Sequence, residues 1–286
     1  ILIAATGAAM AYSAGLGKSW LSGLITGPGV PSPPIGSGPV ILNGRLVQNK
    51  VLQGSDGRVH LALTLQADER FDPQSSEARN VDMVIVLDRS GSMKGRKIND
   101  ARQAVLHLLS GLTAKDRFAL VAYSDRVQQL SGLKYVTADH DKQLKALVSG
   151  LRAGGGTNLG DGLQTGINVM LAAHENGNAR KLILISDGLA NKGITDATRL
   201  GQMAGVAVEK EFAVSTVGVG NDFNEQLMTT IADRGAGNYY YLENPLAFAE
   251  VFQKEFFYTR TTVATNVSIS FPLGSGISIA DAAGYP

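Results

Sequence analysis

VDMVIVLDRSGSMKGRK, residues 81–97, joins an apolar run to an acidic and hydroxylic loop. Met83 to Leu87 is continuous in apolar character and too short to be a helix of its own, so it reads as a buried strand. Asp88, Ser90 and Ser92 fall in the loop just beyond it. In a parallel α/β sheet, ligands bind in the crevice outside the carboxyl ends of the strands, and an Asp followed by two alternate Ser stands where a hard cation can be held. Oxygen ligands, few of them charged, with water completing an octahedron, suit Mg²⁺, with Mn²⁺ or Ca²⁺ as substitutes. The same residue types also populate ordinary turns after strands, so this loop alone does not decide between the two.

Two later loops add to it. In AGGGTNLGDGL, residues 153–163, three glycines end in Thr157 and a helical pattern begins at Asn158; in KLILISDGLANKG, residues 181–193, another apolar strand runs straight into Asp187. The three loops supply five oxygens in the chain order Asp88, Ser90, Ser92, Thr157, Asp187. That constellation resembles the metal-ion-dependent adhesion site of von Willebrand factor type A domains, and the resemblance covers residues 80–260. It implies that Ser90, Ser92 and Thr157 contact Mg²⁺ directly while Asp88 and Asp187 act largely through water. An ion held mainly by neutral hydroxyls stays electron-poor, so a partner's carboxylate can complete its shell.

Between Asp82 and Arg260, short apolar strands alternate with amphipathic helices, which indicates a doubly wound, mostly parallel α/β sheet of about six strands. Ile98, Ala101, Val105, Leu108, Leu109 and Leu112 form one helical stripe. RFALVAYSD (117–125) and VQQLSGLKYV (127–136) are joined too tightly for a crossover helix and imply one antiparallel edge strand. Further strands are expected around Leu182 to Ile185, around Phe212 to Val217 and at 238–242.

Outside that region, residues 26–39 hold five of the nine prolines and read as a linker. RVHLALTLQAD, residues 58–68, places Val59, Leu61, Leu63 and Leu65 on one face after an Asp56-Gly57 turn. Val263, Val267, Ile269 and Phe271 repeat that period near the other end. The flanking β segments 40–79 and 261–286 are therefore expected to pair around an inserted α/β unit. Residues 1–17 carry no charge and a further apolar stretch reaches Ile25, which points to export or tethering to a membrane at the cell envelope. The chain starts at Ile1 without Met, so a preceding piece is expected.

Composition narrows the function classes. A chain of 286 residues, 44% apolar and 18% charged, can bury a full core. A formal net charge of +1 argues against a nucleic-acid surface, which would show a marked basic excess. The absence of Cys removes disulfides, thiolate metal sites and a Cys nucleophile while leaving the redox compartment open. The four histidines are scattered, with His60 in a flanking strand, His107 on a polar helix face, His140 in a loop and His174 near a helix end. No GxSxG pattern surrounds Ser90 or Ser92. Carboxylates sharing a dication are held ionised and make poor general acids, so no catalytic residue is assigned and the chain is not expected to be an enzyme.

Near the loop, Lys94, Arg96 and Lys97 read either as a field that draws an acidic ligand or as a solvated first helical turn. Asp161 reads either as an outer-shell group or as a first-turn acid. At least one of Tyr239, Tyr240 and Tyr241 should face outward, and residues 218–223 should shape the rim. Two function classes follow. One is a metal-dependent adhesion or scaffold module at the bacterial cell envelope that captures Asp or Glu of a partner protein. The other is a docking subunit of an ATPase-driven or other multi-protein machine. The layout of β segment, type A region and β segment is also similar to bacterial surface proteins of this superfamily and to inter-alpha-trypsin inhibitor heavy chains.

Overall fold

Strand-forming segments from both ends of the chain lie in one sheet in the computed structural model, which describes residues 2–5, 25–26, 40–48, 51, 53–67, 79–173, 176–220, 223–242, 256–257, 259–260 and 277–281. One unit comprises Ile1–Ser76 with Val263–Pro286, and the other Glu77–Thr262. The first unit holds strands β1 (Leu2–Ala5), β2 (Ile25–Thr26), β3 (Val40–Leu46) and β4 (Arg58–Ala67). The last strand of the chain, β11 (Ile277–Asp281), completes its sheet in the order β11-β1-β4-β3-β2.

The hairpin of β3 and β4 runs from Val40 opposite Ala67 to Leu46 opposite Leu61. Before β4, Asp56 Oδ1 accepts from the Arg58 N–H at 3.1 Å and makes the expected turn. Burial fades along the alternating face of β4, from Leu61 at 4% exposed to Leu65 at 38%. β11 pairs antiparallel with β1, which in turn pairs with β4. The apolar residues 6–24, the Pro-rich residues 27–39 and the alternation at 263–271 lie outside the described residues. Among the described residues no helix is long and apolar enough to cross a membrane.

The second unit runs β5 (Val81–Asp88), α1 (Arg96–Ser110), β6 (Arg117–Tyr123), β7 (Val127–Tyr135), α2 (Ala138–Gly150), α3 (Leu159–Leu171), β8 (Ala179–Ser186), α4 (Ala197–Glu209), β9 (Ala213–Val219), α5 (Glu225–Arg234) and β10 (Ala236–Leu242). Its six strands are ordered β10-β9-β8-β5-β6-β7, all parallel to their neighbours except β7, which runs antiparallel on β6. This is the doubly wound α/β sheet expected from the alternation of strands and helices.

All eight residues of β5 are buried, as a strand covered on both faces requires. Met83, Ile85 and Leu87 pack on one side with Val105 and Leu109 of α1 and Leu144 of α2. Val84 and Val86 pack on the other with Leu163 and Ile167 of α3 and with Leu182 of β8. The chain leaves β5 toward β6 on one side and returns to β8 on the other. The order of strands therefore reverses beside β5, and the carboxyl end of β5 is the switch point where such sheets open a crevice.

Two sequence expectations change here. Leu112 lies past the end of α1 and only partly buried, although the rest of the stripe is buried as read. His140 is not in a loop. It sits in α2, whose N-cap Thr137 accepts from the His140 N–H, and the residue is buried with its ring between Ser131 Oγ at 2.8 Å and the Tyr135 carbonyl at 2.9 Å.

Candidate metal centre

Asp88 ends β5 and is fully buried. Its Oδ1 accepts the Ser90 N–H at 2.7 Å, which bends the chain out of the strand, and its Oδ2 accepts the Ser186 hydroxyl at 2.6 Å. Ser90 then precedes a single 3-10 turn, Gly91–Met93, that brings its Oγ to 3.0 Å from Ser92 Oγ. Ser90 is buried and Ser92 is exposed, so the hydroxyl pair runs from the floor of the crevice to its mouth.

The glycine loop is stitched onto this turn. The Gly154 N–H donates to the Arg89 carbonyl and the Gly91 N–H to the Gly155 carbonyl, each at 2.8 Å. Gly155 has φ +86°, and a Cβ there would collide with the Asp125 carboxylate, which pairs with Lys192 beside it. The loop needs glycine for both conformation and room. It delivers Thr157, 1% exposed, whose N–H donates to Asn191 Oδ1 at 3.0 Å and whose carbonyl accepts the Asn191 and Lys192 N–H groups at 3.1 and 3.2 Å.

Asn191 belongs to the third loop, which begins at Asp187 after β8. Asp187 is fully buried, with Oδ1 accepting the Leu189 N–H at 3.4 Å and Oδ2 facing Lys97 Nζ at 3.1 Å. Ser186 joins this loop to the first, because its hydroxyl bonds Asp88 and accepts the Gly188 N–H at 2.9 Å. The five residues read from the sequence thus lie on three loops that hydrogen bond to one another at the carboxyl end of the sheet.

Ser186 and Asn191 are not marked as site partners in the sequence, and Lys97 is marked there only as one of three cations near the loop, without its contact to Asp187. Their partners are 98, 34 and 90 positions away. The only local cue was position, at a strand end, in a loop beyond an Asp and in a helix's first turn. Of the other residues near the site, Asp161 sits exposed in the first turn of α3, where Asn158 Nδ2 donates to it at 2.7 Å, and Arg96 pairs with Asp100 one turn on. At the same end of the sheet, Phe223 stacks on Tyr241 at 4.9 Å, and Tyr241 is 38% exposed.

Burial pushes the Asp88 carboxyl up to about 6, with the charge of Asp187 adding to the rise and hydrogen bonds from Ser186 and Ser90 opposing it. Beneath it the Tyr123 hydroxyl is wholly buried without a well-formed hydrogen bond, and burial followed by the Asp88 charge holds it well above its ordinary range. The two buried carboxylates and three hydroxyls on these loops are hard oxygen groups with excess negative charge, and Lys97 already brings a cation to Asp187. That chemistry fits a divalent ion such as Mg²⁺. Among the described residues no three His, Cys, Asp or Glu side chains converge, so the set does not fit a zinc site built from imidazole or thiolate.

Residues 82–254 match the family model of the von Willebrand factor type A domain. The chain belongs to that family. Among curated relatives, the type A chain is 31% identical over 202 residues to the uncharacterized protein YfbK of Escherichia coli, covering 68% of this chain and 34% of that one. It is also 31% identical over 162 residues to inter-alpha-trypsin inhibitor heavy chain H1 of Homo sapiens, covering 54% and 18%. The chain therefore spans only about a third or less of these relatives. In fold it is similar to a von Willebrand factor type A protein from Catenulispora acidiphila (TM-score 0.57, 20% identity, 82% of this chain and 47% of that one). It is similar too to proximal thread matrix protein 1 from the mussel byssus, solved with a zinc-occupied adhesion-site motif (TM-score 0.51, 18% identity, 63% and 45%).

Proposed function

We propose that this type A domain is a metal-dependent protein-binding module, in which Mg²⁺ held by Asp88, Ser90, Ser92, Thr157 and Asp187 captures an Asp or Glu side chain of a partner. The observation that carries this reading is the hydrogen-bonded convergence of the three loops at the strand switch point, with Ser90 Oγ and Ser92 Oγ 3.0 Å apart beside two buried carboxylates. Ser90, Ser92 and Thr157 are the direct ligands, while Asp88 and Asp187 balance charge and orient water. The bound ion supplies a Lewis-acidic point for a carboxylate. Binding rather than catalysis follows from the same groups. Both carboxylates stay ionised around a dication, and the neighbour of Ser90 Oγ is another hydroxyl rather than an imidazole.

A mussel matrix protein with metal in the corresponding motif supports an adhesive or scaffolding use of this chemistry. A place at the cell envelope is read from the uncharged amino-terminal residues, although β1 takes Leu2–Ala5 of that stretch into the flanking sheet and leaves residues 6–17 for a tether. The test is capture of partners from envelope and cytosolic fractions with and without EDTA. Capture from the envelope fraction that EDTA abolishes and Mg²⁺ restores is the expected result. Capture indifferent to EDTA would contradict the metal-dependent reading, and EDTA-sensitive capture of a cytosolic ATPase would place the chain in a multi-protein machine instead.

A further inference from the structure

We propose that Lys97 is a built-in counter-cation of this site, which weakens the hold on the metal and in exchange leaves the loaded site net positive, so that it selects carboxylate-bearing partners. The inference rests on the metal-binding reading above. Lys97 Nζ donates to Asp187 Oδ2 at 3.1 Å, with the lysine side chain 22% exposed and the carboxylate fully buried. Its own helix does not favour it. Lys97 lies in the first turn of α1, where the macrodipole is positive and no acidic residue is present to offset it.

Its path is shaped from another strand. Gly220, just past β9, has φ +83°, and a Cβ there would collide with the Lys97 Cε. The ammonium thus stands against its helix's field, with its stem beside a glycine and its head on a carboxylate of the candidate centre.

Charge counting gives the consequence. Ionised Asp88 and Asp187 with a dication make a neutral cluster, and Lys97 turns it into one with a single positive charge. The same lysine therefore repels the incoming ion and attracts the incoming carboxylate. Loss of its charge must move the two affinities in opposite directions, whereas loss of a merely structural residue lowers both.

Lys97→Gln keeps a donor for Asp187 without the charge, Lys97→Met keeps an unbranched stem should the first variant not fold, and Lys97→Arg keeps the charge. The full chain is titrated with MgCl₂ by calorimetry. Acetate, as the carboxylate probe, is titrated into Mn²⁺-loaded protein and followed by water-proton relaxation, which falls as acetate displaces bound water. The expected result for Lys97→Gln is Mg²⁺ binding roughly three- to tenfold tighter and acetate binding weaker by a similar factor, with Lys97→Arg close to the parent in both. Affinities that fall together, or that do not change, overturn the role of Lys97 while leaving the site standing. A parent chain that takes up neither Mg²⁺ nor Mn²⁺ overturns the site itself, and that failure is visible before any variant is compared.

Discussion

Asp88 carries the conflict on which the site turns, because it is a carboxylate at the end of a fully buried strand. In the metal-free protein its proton is held up to about 6, above the ordinary carboxylate value of about 3.9. A carboxyl raised in this way favours folding while protonated, and that contribution is lost as pH rises through about 6. At neutral pH its ionisation costs on the order of 3 kcal/mol of stability, which a cation restores. Two outcomes follow. In a melting series without metal, Asp88→Asn should be more stable than the parent at pH 7.5, and the advantage should vanish by about pH 4. Mg²⁺ competes with the proton, so the rise in Tm that it produces in the parent should be full at pH 7.5 and shrink steadily below pH 6. At this scale the sequence was informative about donors, since Asp88, Ser90, Ser92, Thr157 and Asp187 each sit at a strand end or helix start. It was silent about what each donor touches. Lys94, Arg96 and Lys97 look alike in the sequence, and only the fold puts Lys97 on Asp187.

Among the elements, the glycine loop and the base of the sheet separate function from stability. Gly155→Ala forces a side chain into φ +86° against the Asp125 carboxylate, so it should cost about 1–3 kcal/mol and shift Thr157 enough to blunt the Mg²⁺ response. The far end of the sheet makes the opposite prediction. Asp116 is fully buried and accepts the Val81 N–H at 2.8 Å, the Thr113 N–H at 2.7 Å and the Arg260 guanidinium at 2.6 Å, so it ties the start of β5 to residue 260. Asp116→Ala leaves Arg260 without that carboxylate and should cost about 3–5 kcal/mol in urea unfolding while leaving Mg²⁺ affinity unchanged. The strands were legible because β5, β6 and β8 are apolar runs of the right length. The hairpin of β6 and β7 was legible because three residues, 124–126, leave no room for a crossover. α2 was not, because its stripe is short, with only His140, Leu144 and Val148 buried, and its histidine is spent on Ser131 and Tyr135.

For the molecule as a whole, the unit Glu77–Thr262 contains all five candidate ligands together with Ser186, Asn191 and Lys97, which hold them. A chain cut to residues 77–262 should therefore fold and take up Mg²⁺ with the affinity of the full chain, as calorimetry can check. At 100 times its dissociation constant the ion adds about 2.7 kcal/mol, a rise in Tm on the order of 5–10 °C for a unit of this size. The type A region was legible in the sequence because its motif and its strand pattern coincide. The flanking sheet was less so, because the pairing of β11 with β1 joins segments about 275 residues apart in a chain of 286 with no motif to mark either. The measurement that bears most directly on the site is anomalous diffraction from crystals of the chain grown with MnCl₂. A single strong peak in coordinating distance of Ser90 and Ser92 Oγ, absent from crystals of the Asp88→Ala, Asp187→Ala double variant, is the predicted result. A peak elsewhere, or none at the carboxyl end of β5 at saturating Mn²⁺, would contradict it.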